Sequence, residues 1–424
     1  MTSKNTSPSS HSDGQPPRGS EGVRAGAHAL ASAVGAVSST VEQMQTVARA
    51  RVGTGFDAAA RAHPAANPVG RAAAGVLSAV ALQTKAVHTQ IRGIAKISDA
   101  AVGHAAATLP ADEQTRWAAT SAALSAAFGD SLAADPASAA LVSPMALRLD
   151  GLALECTRAS LTRAYPAATD TVVVFVHGLA ATELVWSDDY AAAVLAAGAT
   201  AVFVRYNTGA AVADNGRELS ELLDGLVRSW PQQPVSRLII VGHSMGGLVA
   251  RAACAAAADA GPEGQAAWPS VLTDLVTLAT PHRGAPMEKV ANVVIQGLRL
   301  DPMAAPIADL CDSRSQGIKD LRFGAVRHED WAGEDPDEAL HDRTVPLPLP
   351  PGTRHHAAVA TLASDPDSAV AAVMGDGLVR RPSAAFAPNG THDSLVIIGD
   401  AGHNDLLDHP RVAELLSRVV GLAG

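Results

Sequence analysis

Cysteine is scarce in this chain. Only Cys156, Cys254 and Cys311 occur in 424 residues, far apart and without CxxC spacing, so neither a disulfide framework nor a zinc site is expected and a reducing compartment fits best. No run of about 18 or more uninterrupted apolar residues is present, and no spanning helix is expected. The N-terminus lacks the apolar h-region of a secretory signal; residues 1–20 are rich in Ser, Pro and Gly and read as a disordered tail. From these absences a cytoplasmic location is expected, with peripheral membrane association open through the N-terminal region. Positive charge is also short. With 32 Lys and Arg against 42 Asp and Glu the net charge is −10, which repels phosphate backbones and argues against a nucleic-acid partner.

Apolar residues, by contrast, are plentiful. At 47% of the chain against 17% charged they supply a sizeable core, and the length calls for one large domain plus an addition. The addition is N-terminal. Leu30, Val34, Val37, Val41 and Met44 step along one helical face, Val76, Val80, Val87, Ile91 and Ile94 repeat the pattern, and Pro110-Ala111-Asp112 reads as the start of a third helix. Residues 21–140 are thus an Ala-rich helical extension. Its shallow apolar stripes pack on the rest of the chain, on another copy, or peripherally on a membrane.

At Met145 the texture changes. Met145 to Leu149 and Leu152 to Cys156 alternate around Asp150-Gly151 as a hairpin. Short apolar runs then alternate with helical patterns: Thr171–Val176, Thr200–Val204, Arg237–Val241, Leu275–Leu278, Val359–Leu362 and Leu395–Ile398. Such alternation predicts an α/β domain over 141–424, with a mostly parallel sheet flanked by helices. Between residues 286 and 351 an apolar helix candidate (Val290–Leu300) and an acidic, Pro-rich run through Trp331 and Pro346 read as a lid or a surface excursion. Asp335, Asp337 and Glu338 read as a solvated acidic loop.

The chemistry centres on Gly242-His243-Ser244-Met245-Gly246, at the junction of a buried strand and a helix. A sharp strand-to-helix turn strains the serine, exposes its Oγ, and needs small flanking residues at Gly242 and Gly246. Upstream, Val172 to Val176 run into His177-Gly178-Leu179, the order expected of a loop that supplies an oxyanion donor. The two backbone donors are then Leu179 and Met245. His177 itself reads as a supporting hydrogen bonder, a turn residue or, against its place in the order, a base. Among 15 histidines, His403 is best placed as base, after the strand Leu395–Ile398 and before Leu406 and Leu407, which read as the start of the last helix. His392, His409 and the His355/His356 pair are alternatives in solvated or strand-end positions. Asp376, between Gly375 and Gly377, is favoured as the acid over Asp365 and Asp367, which bracket Pro366 like helix-start residues, and over Asp400, which sits on the same turn as His403.

The stretches VVVFVHGL, VRYNTG, NGRELSELL, VGHSMGGLVAR, LATPHRGAP, GDGLV and GHNDLL, in that order, resemble bacterial α/β-hydrolases similar to the GPI inositol-deacylase group and related lipases and esterases. The resemblance runs from about Leu141 to Leu407. It implies an α/β-hydrolase fold, a triad of Ser244, Asp376 and His403, and an oxyanion strand at His177-Gly178-Leu179. The expected reaction is hydrolysis of an acyl or lipid-like ester through an acyl-enzyme, with no metal and no cofactor. The same triad would serve acyl transfer to another acceptor or thioester hydrolysis, and an inactive scaffold binding a membrane or a protein is the reading outside enzymes.

Overall fold

The computed structural model describes residues 111–134, 142–260, 266–285, 315–331 and 347–422. The tail over 1–20, the two upstream helices, the lid helix expected over Val290–Leu300 and the acidic residues Asp335, Asp337 and Glu338 lie outside the described residues. The third expected helix lies within them: α1 covers Ala111–Ala134 and begins at its Pro-Ala-Asp signal. Among the described residues no helix is long and apolar enough to cross a membrane.

Strands β1 (Ala146–Leu149) and β2 (Leu152–Leu154) form the expected hairpin. Asp150 and Gly151 both have positive φ, 50° and 78°, as a tight two-residue turn requires. The alternating elements then follow: α2 (Arg158–Ala164), β3 (Thr171–Val176), α3 (Asp188–Ala196), β4 (Thr200–Arg205), α4 (Val212–Ser229), β5 (Arg237–His243), α5 (Met245–Asp259) and β6 (Leu272–Leu278). Beyond them come α6 (Gln316–Asp320), β7 (Arg354–Ala360), α7 (Ala369–Met374), α8 (Arg381–Ala384), β8 (Ser394–Ile398) and α9 (Pro410–Gly421). The eight strands form one sheet in the order β2-β1-β4-β3-β5-β6-β7-β8. From β4 across to β8 every pairing is parallel, and only the hairpin joins antiparallel.

Burial on both faces explains why the strands read as unbroken apolar runs. On one face of β3, Val172, Val174 and Val176 pack with Leu219, Leu223 and Leu226 of α4 and with Leu248 and Val249 of α5. Its other face turns Val173 and Phe175 toward Val194 of α3 and Leu415 and Leu416 of α9. The chain moves outward from β3 to β4 and then returns to the opposite side of β3 with β5. That reversal puts the switch point of the sheet at the carboxyl ends of β3 and β5, the place where open α/β sheets bind ligands.

Three sequence expectations need correction here. Strand β7 spans Arg354–Ala360 rather than Val359–Leu362, because His355 and His356, taken as solvated or strand-end residues, are buried in it. Their polarity is satisfied inside: His355 Nε2 lies 3.0 Å from Thr277 Oγ1, and His356 Nε2 lies 2.9 Å from Asp274 Oδ1. The second arm of the hairpin ends at Leu154, short of Cys156. Leu406 and Leu407 close a separate 3-10 turn, His403–Leu407. The last helix starts afresh at Pro410, whose fixed φ suits a first helical position, with His409 as its cap.

At the edge of the sheet opposite that switch point, Asp274 of β6 is a buried carboxylate tied to three strands. Arg237 of β5 reaches it at 3.0 Å, Arg354 of β7 at 2.7 and 3.0 Å, and Thr273 at 2.7 Å. Burial alone would raise its pKa, but the bonds from His356, Arg354, Thr273 and Arg237 overcome that and hold it well below the usual carboxylate range. Arg237 also donates to the carbonyls of Val419, Val420 and Leu422 at the end of α9.

Candidate active site

Ser244 stands between β5 and α5 with φ 52° and ψ −121°, a conformation that costs an L-residue about 1–3 kcal/mol and persists only where the surroundings enforce it. The enforcement is visible. The Ser244 N–H donates to Leu278 O at 2.8 Å, and the Gly247 N–H donates back to Ser244 O at 3.1 Å. A Cβ on Gly246 would stand 2.1 Å from Val176 O and 2.5 Å from His177 O, so α5 can start this close to β3 only with glycine there. Gly246→Ala is expected to cost about 3 kcal/mol, the upper end for overpacking, and to lower Tm by roughly 6–12 °C in a thermal melt. An unchanged Tm would show that β3 and α5 can separate. The turn leaves the serine only 9% accessible, less open than its sequence context predicted, because the loops after β3, β6 and β8 meet around it.

The acid and base expected from the sequence are brought together. His403 Nδ1 lies 2.8 Å from Asp376 Oδ2, and the His403 N–H donates to Asp376 O at 3.1 Å. The other carboxylate oxygen, Oδ1, accepts the Leu378 and Val379 N–H groups at 2.9 and 2.8 Å. Gly375 makes this loop possible: its φ is +55°, and a Cβ there would stand 1.9 Å from Val379 O. Because the carboxylate can only accept, Nδ1 carries the proton and Nε2 is left with a lone pair.

The loops of Ser244 and His403 touch through His243. Its Nε2–H donates to the His403 carbonyl oxygen at 3.2 Å, and the two rings lie 5.0 Å apart. Burial, with the His403 ring beside it as a second cause, pushes the His243 pKa down to about 3, so this ring is neutral and serves as a strut. His177 is likewise buried and its pKa is pushed down to about 4 by burial. Its Nδ1–H donates to Gly178 O at 2.9 Å and its ring stacks on Tyr206, the supporting role among those open to it. Gly178 then packs against Ser244, where a Cβ would lie 3.1 Å from the serine Cβ. Among the described residues the N–H groups of Leu179 and Met245 find no acceptor; Met245 follows the serine directly, and Leu179 follows Gly178, which packs against it.

The other candidates are held elsewhere. Asp365 is exposed and accepts the Asp367 N–H, while Ser368 rather than either aspartate caps α7. Asp400, exposed, accepts from the Ser364 hydroxyl at 2.6 Å. His392 stacks on His355, and His409 caps α9. Two contributors were not singled out in the sequence. Gly247 lies so close to Thr280 that a Cβ would meet its Oγ1 at 2.0 Å; the doubled glycine after Met245 was the available signal. His243 gave no signal beyond lying next to the serine.

The family model described as the alpha/beta hydrolase family matches residues 173–415. No curated protein matches the chain. Among solved structures, the mature lipase of Bacillus licheniformis is 18% identical over 59% of this chain and 92% of its own, with a TM-score of 0.41. A metagenomic carboxyl esterase is 17% identical over 59% and 75%, with a TM-score of 0.37. EstA of Clostridium botulinum is 13% identical over 60% and 87%, with a TM-score of 0.34. Since the family match runs from within β3 through the Ser244 turn to α9, more than half of the sequence, the chain belongs to the alpha/beta hydrolase family.

Proposed function

We propose that the protein hydrolyses carboxylic esters of acyl or lipid-like substrates through Ser244, His403 and Asp376. The observation that carries this reading is the Asp376–His403 bond of 2.8 Å, which fixes the imidazole tautomer in a loop that His243, next to the strained Ser244, joins through the His403 carbonyl. His403 Nε2 takes the Ser244 proton as Oγ attacks the ester carbonyl carbon. The oxyanion that forms is held by the Leu179 and Met245 N–H groups, and the N-terminus of the 15-residue α5 favours the same charge. Collapse expels the alcohol, which leaves with the proton from His403, and an acyl-enzyme remains. Water then attacks the acyl carbon, gives its proton to His403, and the acid and free serine are restored. Throughout, the Asp376 carboxylate orients the ring and stabilises the imidazolium.

A fluorophosphonate probe and a p-nitrophenyl ester series test this together. The expected result is turnover of the esters and a single covalent adduct, mapped by peptide mass spectrometry to Ser244. Ester turnover with no adduct on Ser244 would place the chemistry elsewhere.

A further inference from the structure

Strand β4 leaves the sheet through Arg205-Tyr206-Asn207-Thr208, part of the VRYNTG run whose role the triad does not explain. All four side chains are buried. Three of them grip the loop after β3. Arg205 holds Glu183 with two bonds of 2.5 Å. Tyr206 stacks on His177, ring centroids 4.5 Å apart, and donates its hydroxyl to the His177 carbonyl at 2.8 Å. Thr208 Oγ1 accepts the Ala180 N–H at 3.4 Å. The grips at 177 and 180 bracket the Leu179 N–H. Ala180 itself has φ +55°, a left-handed conformation that an alanine keeps only under external restraint.

Asn207, the fourth, turns to helix α1. Its Oδ1 accepts the Ser125 hydroxyl at 2.6 Å and also the Gly209 N–H at 3.1 Å, and its Nδ2 donates to Gly129 O at 2.9 Å. There is no slack in this seat. A Cβ on Gly129 would stand 2.0 Å from Asn207 Oδ1, and a Cβ on Gly209 2.0 Å from Ser125 O. Helix α1 precedes the matched family region, yet it is joined to the loop after β3 through one four-residue segment.

We propose that this segment is a clamp through which helix α1 fixes the Leu179 N–H, with Asn207 as its positioning residue. The inference rests on the reading of Ser244 and Leu179 given above. Because the four residues are consecutive, releasing Asn207 from α1 frees Tyr206 and Thr208 to shift, and Leu179 shifts with them. A donor displaced from the developing oxyanion loses transition-state stabilisation but leaves ground-state acyl binding untouched, so kcat falls and KM does not move.

The test uses the full chain, p-nitrophenyl butyrate, and the variants Asn207→Ala, Gly129→Val and Ser244→Ala. Asn207→Ala and Gly129→Val are each expected to lower kcat by about 10- to 100-fold, below the full loss of an oxyanion donor, with KM within about threefold. Both should weaken a trifluoromethyl ketone, whose hemiketal oxyanion needs the same donors, by the same factor. The double variant should lose no more than the worse single one, since both break one link. If Gly129→Val does not fold, Ser125→Ala removes the helix side of the link without adding bulk and should lower kcat by a few fold. Folded Asn207→Ala with kcat within twofold of wild type overturns the clamp, as does a loss confined to KM. An inactive Ser244→Ala beside a fully active Asn207→Ala sinks the clamp alone. An active Ser244→Ala removes the reading on which it rests.

Discussion

Ser244→Ala is expected to lower kcat for p-nitrophenyl esters on the order of 10^4- to 10^6-fold while leaving Tm within about a degree of wild type. The size follows from the unit that the serine belongs to. Without Oγ, His403 has no proton to take, and what remains is water attacking a carbonyl polarised by the Leu179 and Met245 N–H groups. The near-constant Tm follows from the backbone. At φ 52° and ψ −121° alanine is strained as badly as serine, so nothing is relieved. Ser244→Gly separates the two effects. It should be just as inactive, but glycine adopts this conformation freely, and after its larger unfolded-state entropy a net gain of about 1 kcal/mol remains, roughly 2–4 °C in Tm. Retained turnover in Ser244→Ala would remove serine from the mechanism. A glycine variant less stable than the alanine variant would show that the turn is not strained.

Mild acid is expected to unfold the protein well above the pH at which carboxylates titrate. Four fully or largely buried histidines have their pKa pushed down, in each case first by burial: His177 to about 4, His243 and His355 to about 3, and His282 well below its ordinary value, with the Arg251 charge adding to the effect. In the unfolded chain they titrate near 6.5. Their contribution is therefore fully present above about pH 6.5. It is lost as pH falls toward 4, because only the unfolded chain binds the protons there. Each histidine supplies up to about 1.4 kcal/mol per pH unit, so four supply on the order of 5 kcal/mol per unit, against a net stability of about 5–15 kcal/mol. Urea unfolding at pH 7.5, 6.0 and 5.0 should give a free energy that is flat down to about 6.5 and then falls steeply. A value unchanged between pH 7.5 and 5.0 would mean that these rings are protonated in the folded protein.

Much of the fold was legible because burial on both faces writes itself into sequence as unbroken apolar runs. Thr171–Val176 is the plainest case, and the glycines around Ser244 and Asp376 mark turns that other residues would block. Polar residues with buried partners were not legible. His355 and His356 hid the first half of β7, since nothing in a linear sequence shows that Thr277 and Asp274 wait opposite them. The clamp was hidden for the same reason. VRYNTG stood out only as part of a resemblance, and its partners Ser125, Gly129 and Glu183 are scattered along the chain. Loop boundaries near Leu407 went astray because the apolar signal cannot tell a 3-10 turn from the helix that Pro410 begins.

The Asp274 knot has a bearing on how the Ser244 edge of the sheet can change. Residues 279–353 separate β6 from β7 in the sequence, and a detour of that length has to be closed by whatever joins the two strands at its base. Arg354 binds Asp274 across that base, on the edge away from Ser244. Closure entropy grows only logarithmically, so doubling the detour would add about 0.6 kcal/mol, less than one charge-assisted bond of the knot contributes. The sheet can thus accept a longer or different connection between β6 and β7 at little thermodynamic cost, while the two strands stay in register.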